Sequence, residues 1–246
     1  MKTKFLGVVA ALTLLCAVSP ANSQEVGFVY SGGSFTALPA LPTGSNPEPF
    51  DVNNVGQIVG RGGATGGFIY SGGSYTSVSD PLATGLTYAY GINDAGQIVG
   101  SYASGPNSSQ GFLNSGGVYT TLSFPGAINT YAFGINNTGQ IVGEYQVNTN
   151  YIPYAFLYSG GVYTALNVPG SVNTVATGIN DSGQVVGWYT NLVNGLAERY
   201  GFVYSGGVFT TLDNPASAKS TNPFGTNNLG QIVGYFNGRL QQLRSK

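Results

Sequence analysis

Residues 131–166 contain Tyr131-Ala-Phe-Gly-Ile-Asn136, Asn137-Thr-Gly139 and Gln140-Ile-Val-Gly-Glu-Tyr145, then a looser stretch, then Tyr154-Ala-Phe-Leu-Tyr158, Ser159-Gly-Gly161 and Val162-Tyr-Thr-Ala-Leu166. Four runs rich in apolar, β-branched and aromatic residues alternate with turn residues, which predicts four short strands. An Asn or Asp followed two residues later by Gly suits a tight hairpin loop closed by a left-handed residue. The Ser-Gly-Gly run supplies positive φ without steric cost. No run shows an apolar stripe at helical spacing, so almost no helix is expected after residue 23.

This unit recurs along the chain. A Phe followed three residues later by Ser-Gly-Gly stands at 28, 68, 112, 156 and 202, and the Gly of a Gly-Gln-Ile/Val-Val-Gly motif at 56, 96, 139, 183 and 230. Four strands every 40 to 47 residues match the blade of a β-propeller. The expected fold is therefore all-β, a five-bladed β-propeller of four-stranded antiparallel blades. The Gly-Ile-Asn segment is taken as the innermost strand, because Ala89, Gly91, Ala132, Gly134, Ala176 and Gly178 are small enough for a crowded axis. Residues 26–38 then supply the third and fourth strands of a blade whose first two are residues 224–236. Such N-terminal strands, pairing with the C-terminal blade, would close the ring and protect its edges. The tail 234–243 reads as a worn copy of the first motif and competes for the same place. An open β-repeat stack or solenoid is the alternative.

Composition narrows the chemistry. The 246 residues include 39 Gly and 12 Pro but only 8 basic and 9 acidic side chains, no His, and single Cys, Met and Trp residues. Without His there is no Ser-His-Asp or Cys-His catalysis and no His-ligated metal. A near-zero net charge argues against a nucleic-acid partner, whose phosphates need a basic face. Residues 1–23 read as a signal peptide: Lys2 and Lys4, an apolar run from Phe5 to Val18, then Pro20 and Ala21-Asn22-Ser23. Cleavage near Ser23 is expected, leaving one domain over 24–246 without cysteine, secreted to the periplasm or beyond, with no later membrane span. Cys16 could instead be acylated, but Leu15 is larger than that processing favours. A short membrane anchor is the other alternative for this segment.

Five-bladed propellers include glycosidases, which need converging carboxylates. Asp94 and Asp181 occupy turn positions held elsewhere by Asn54, Asn137 and Asn228, so turn formation accounts for them. Asp80 and Asp213 likewise read as turn residues beside proline. Glu144 and Glu198 are the acids expected near a rim, in strand and loop of one blade. No catalytic residue, metal ligand or cofactor site is assigned. Connections between second and third strands vary (62–66, 103–110, 146–153 and 190–200), and those between blades are long; both emerge on one face, where function is expected. The candidate ligand-binding aromatics near it are Tyr88, Tyr102, Tyr131, Tyr145, Tyr151, Trp188 and Tyr189. Aromatic faces beside amides and hydroxyls suit sugar rings, and inter-blade packing is the competing explanation.

The repeated residues resemble the bacterial extracellular HAF repeat, named for His-Ala-Phe. The five Phe positions, Gly91-Ile-Asn93, Gly134-Ile-Asn136 and Gly178-Ile-Asn180 carry the likeness, over about residues 25–243. Gly or Ala155 stands where the family has the residue before Phe, and no His is present. The resemblance implies bacterial export and no defined reaction. The expectation is a secreted, non-enzymatic repeat protein binding glycan or another surface polymer through the variable face. A glycosidase-like enzyme and a structural or assembly scaffold of the cell envelope are the alternatives.

Overall fold

The computed structural model describes residues 26–31, 33–63, 66–213 and 217–238. The signal segment and the last residues of the tail lie outside them. The described residues form β-strands and no α-helix, as the sequence predicts. Three antiparallel sheets follow one another, each in chain order: β3 (Glu48–Val52), β4 (Ile58–Arg61), β5 (Gly67–Ser71) and β6 (Ser74–Val78); β7 (Thr87–Ile92), β8 (Ile98–Gly105), β9 (Ser108–Ser115) and β10 (Val118–Leu122); β11 (Asn129–Ile135), β12 (Ile141–Gln146), β13 (Tyr154–Ser159) and β14 (Val162–Ala165). The next contains β15 (Asn173–Ile179), β16 (Val185–Val193), β17 (Leu196–Ser205) and β18 (Val208–Leu212). Two strands join it at β17, β19 (Ser217–Thr226) and β20 (Ile232–Gly238), through one parallel pair, Arg199 with Ser220. At the N-terminus, β1 (Phe28–Ser31) and β2 (Ser34–Ala37) form a separate hairpin. The expected pairing of β1 with β20 is not among the strand pairs of the described residues. Residues 234–238 of the competing tail copy belong to β20, and the remainder lies outside the described residues.

Turn chemistry sets the strand ends. Gly160 and Gly161 take φ of 57° and 87°, so both central residues of the β13–β14 turn are left-handed, the twist that a two-residue hairpin requires. Two connections expected to be irregular are instead hairpin extensions. The β16–β17 pair runs out to Val193 opposite Leu196, turned by Asn194 (φ 54°) and Gly195 (φ 78°). The β8–β9 pair reaches Gly105 opposite Ser108.

The core lies between consecutive sheets, not within one. Val142, Ala155 and Leu166 of the third sheet pack with Ala176, Val185, Tyr189 and Phe202 of the fourth. Phe112, Phe156 and Phe202 are fully buried at equivalent positions, and Phe68 nearly so. The first strands of successive repeats approach backbone to backbone. A Cβ on Gly178 would lie 3.0 Å from the Gly225 Cα, and one on Gly91 would lie 2.8 Å from the Phe133 carbonyl. Gly91, Gly134 and Gly178 therefore stand where the first strands of successive repeats approach one another.

One side chain joins each repeat to the next. Asn136 accepts the Gln140 N–H (2.9 Å) and donates to the Gln140 side chain (2.8 Å), which closes its own turn. The same carboxamide donates to the Asn180 carbonyl of the following repeat at 3.0 Å. Asn53 donates likewise to the Asn93 carbonyl, Asn93 to Asn136 and Asn180 to Asn227. Asn136 is 3% exposed, so water cannot replace these bonds cheaply. Asn136→Asp, isosteric but unable to donate, is expected to destabilise the fold by about 2 kcal/mol. Phe156→Ala should cost about 3–5 kcal/mol. Urea unfolding of both variants checks the two figures.

Candidate binding channel and its two mouths

The first strand of every repeat carries a bulge. Register skips one residue between Pro49 and Asp51, Ala89 and Gly91, Ala132 and Gly134, Ala176 and Gly178, and Pro223 and Gly225. The residue left unpaired is Phe50, Tyr90, Phe133, Thr177 or Phe224. A bulge re-aims its side chain, and these five together line one cavity of about 260 Å³ with Ile135, Ile179 and Val233. Ring centroids of Phe50 and Tyr90 are 5.5 Å apart, and those of Tyr90 and Phe133 are 5.3 Å apart. This channel was absent from the candidate residues. Its signal is present in the sequence: an aromatic residue immediately precedes the Gly of Gly91-Ile-Asn93 and of Gly134-Ile-Asn136.

At one end of the row stand Tyr88 and Tyr131. Tyr131 lies parallel to Phe133 within 9°, with centroids 6.3 Å apart, and Tyr88 is 6.3 Å from Tyr90. The Arg61 guanidinium sits 5.7 Å from the Tyr88 ring and 5.8 Å from the Phe50 ring. Glu48 pairs with Arg61 at 2.8 Å. Burial raises the Tyr90 hydroxyl above its ordinary value, partly offset by a hydrogen bond with Ser101.

The other candidate aromatics divide into three situations. Tyr102, Tyr145 and Tyr189 hold equivalent positions and are buried. The Tyr102 hydroxyl is 3.1 Å from that of Thr121, the Tyr189 hydroxyl is 2.9 Å from that of Thr211, and Tyr145 stacks on Phe124 at 3.6 Å. Those contacts are packing between and within sheets. Trp188 is covered by the Arg199 guanidinium at 3.8 Å, itself donating to Asn222. Tyr151 is half exposed in the connection after β12, at a positive φ of 55°. Of the seven, the structure brings Tyr88 and Tyr131 to the channel aromatics.

The tight turns surround a second, polar opening of about 180 Å³. Here Asn54 donates through its backbone and its side chain to Asp94, and Asn137 donates to both Asp94 and Asp181. Asn228 donates to Asp181. Backbone N–H donation, first, and carboxamide donation hold both carboxyls below the ordinary range. Both acids therefore serve as turn residues, and they also clamp neighbouring repeats. Asp80 is a turn residue too, accepting the Leu82 N–H at 2.8 Å.

Glu144 and Glu198 do not share one sheet, contrary to the sequence reading: Glu144 is on β12 and Glu198 on β17 of the next sheet. Glu198 accepts from the Tyr200 hydroxyl at 2.5 Å. Glu144 accepts from Gln146 at 3.0 Å, yet burial outweighs that bond and lifts its carboxyl to about 7. Asp51 fills the place held by Gly91 in the next repeat. It accepts the Ile92 and Val52 N–H groups, both at 2.9 Å, and burial nevertheless pushes it to about 6. Among the described residues no cluster of three or more His, Cys, Asp or Glu could hold a metal ion.

Both raised carboxyls bind protons more tightly folded than unfolded, so their stabilisation is complete below the ordinary carboxylate range. It is lost as pH rises through about 6 for Asp51 and about 7 for Glu144. The fold should be more stable at pH 5 than at pH 8. Glu144→Gln should raise stability at pH 8 by up to about 3 kcal/mol and change it little at pH 4. Denaturant titrations at the two pH values measure this.

No protein-family model matches the chain, and no curated protein matches it. Among solved structures it is similar to a triple arginine-to-alanine mutant of AofleA from Arthrobotrys oligospora, at 14% identity and a TM-score of 0.48, over 87% of this chain and 72% of that one. A likeness of that size carries no argument about function.

Proposed function

We propose that this is an exported, non-enzymatic repeat protein that binds glycan or another surface polymer at the Tyr88–Tyr131 mouth of its channel. The proposed architecture is a five-bladed β-propeller of the HAF-repeat type, its fifth blade assembled from the two chain ends. That all five first strands line the same cavity supports such a ring. The observation that carries the binding assignment is the row Phe50, Tyr90 and Phe133 meeting Tyr88 and Tyr131 beside the Arg61–Glu48 pair. Aromatic faces take the apolar side of a pyranose, while a guanidinium and a carboxylate in fixed geometry bond its hydroxyls. Asp94 and Asp181 are engaged by neighbouring turns, and Glu144 and Glu198 stand on separate sheets, so these four acids favour no hydrolytic pair.

Isothermal titration against neutral polysaccharide fragments tests the assignment. Tyr88→Ala and Tyr131→Ala should each weaken binding about tenfold, from ~1.4 kcal/mol of lost ring stacking. Val162→Ala, on the exposed turn end of β14, should leave it unchanged. Equal affinities for the three variants, or no binding by the unaltered protein at millimolar fragment, would remove this reading.

A further inference from the structure

The same strand interface occurs four times and is left half-made a fifth time. In the four sheets, the second and third strands pair Gly60 with Phe68, Gly100 with Phe112, Gly143 with Phe156 and Gly187 with Phe202. The residues one step away pair too: Val59 with Ile69, Val99 with Leu113, Val142 with Leu157 and Val186 with Val203. The equivalent second strand at the C-terminal end is β20, with Val233 and Gly234; the equivalent third strand is β1, with Phe28 and Val29. Val233 is 66% exposed where Val59, Val99, Val142 and Val186 are fully buried, and Phe28 is 56% exposed where its four counterparts are at most 2%.

Other observations place the same gap between β19 and β3. A Cβ on Gly225 would meet only Val233 within 4 Å, whereas Gly91, Gly134 and Gly178 each abut the backbone of the following repeat. The Asn227 side chain bonds its own turn through Gln231 and, among the described residues, has no bond to a following carbonyl. Asn53, Asn93, Asn136 and Asn180 all make that bond. Two open apolar grooves flank the gap. One, of about 550 Å³, runs between Val26–Tyr30 and Pro47–Val52; the other, of about 500 Å³, lies beside Gly225–Asn227 and Gln231–Val233.

We propose that the β1–β2 hairpin of the same chain is the occupant of the β20 edge. Antiparallel docking places Gly234 opposite Phe28, Val233 opposite Val29 and Ile232 opposite Tyr30. It completes a fifth four-stranded sheet, buries Phe28 and Val233, and brings the Asn53 carbonyl to the Asn227 carboxamide. The chain's own hairpin is favoured over a second copy because β3, which follows it, already shares the channel wall with β19. The inference rests on the ring arrangement proposed above and not on any ligand.

Disulfide trapping tests it, in the full chain with Cys16→Ser removing the native thiol. Val29→Cys with Val233→Cys should form one disulfide within the monomer, at least about tenfold faster than the shifted control Tyr30→Cys with Val233→Cys, because a one-residue slip turns the two side chains to opposite faces. Peptide mapping under non-reducing conditions reads both. Cross-links found only in dimers would assign the edge to a second copy and overturn the proposal, as would equal rates or no cross-link. Phe28→Ala provides a measurement free of cysteines. It should lower the folding equilibrium constant at least about a hundredfold, as for a buried phenylalanine; a change below about threefold would also overturn the proposal. Neither readout involves glycan, so failure of the binding assignment leaves this result interpretable, and the converse holds.

Discussion

The fold depends on a carboxamide with two tasks. Asn53, Asn93, Asn136 and Asn180 each accept from the Gln N–H that closes their own turn and donate to the carbonyl of the equivalent Asn one repeat later. Local geometry and long-range assembly are thereby tied to one group. A turn that opened would lose its bond to the next repeat, and a repeat that drifted away would leave a buried donor unsatisfied. Apolar contact between sheets supplies most of the favourable energy, but it is not directional. The carboxamide supplies direction and register, and with glycine on the facing strands it fixes how closely the first strands approach.

From that close approach the channel follows. Backbones that meet at Gly91, Gly134 and Gly178 leave no room for an in-register side chain, and the bulge turns the preceding residue into the space between strands. Four of those five residues are aromatic, so packing converts a periodic sequence into a row of ring faces. The scarcity of charge acquires a local meaning here. Arg61 and Glu48 form a salt bridge, and they stand where the row meets Tyr88. Of the two carboxyls with raised protonation, Asp51 replaces the glycine of its neighbours, and Glu144 holds a position that differs in every repeat.

Strands and turns were legible because their causes are local. The four strands expected in residues 131–166 correspond to β11–β14 with ends shifted by at most two residues, since Asn-x-Gly and Ser-Gly-Gly determine where the chain reverses. The channel was harder to see. Phe133 and Tyr131 look alike in an alternating strand, and only the skipped register after Ala132 sends Phe133 into the cavity. Tyr102, Tyr145 and Tyr189 read in sequence as neighbours of a ligand face, yet the preceding sheet covers them. Asn194-Gly195 carried a strong hairpin signal that the unequal spacing of repeats obscured; extra residues there lengthen strands and do not form a loose loop.

The Asn relay is polar, so once the junction between the last and first repeats is open its two ends are not equally vulnerable. If the last repeat loosens, the repeat before it keeps a buried N–H donor with nothing to receive it. If the first loosens, the repeat after it loses only one donor to a carbonyl, and an under-satisfied carbonyl is the better tolerated defect. Fraying that starts at the N-terminal side can therefore stop after one unit, whereas fraying from the C-terminal side hands the same defect backwards, from Asn180 to Asn136 to Asn93. The molecule has a direction of failure built into its turns.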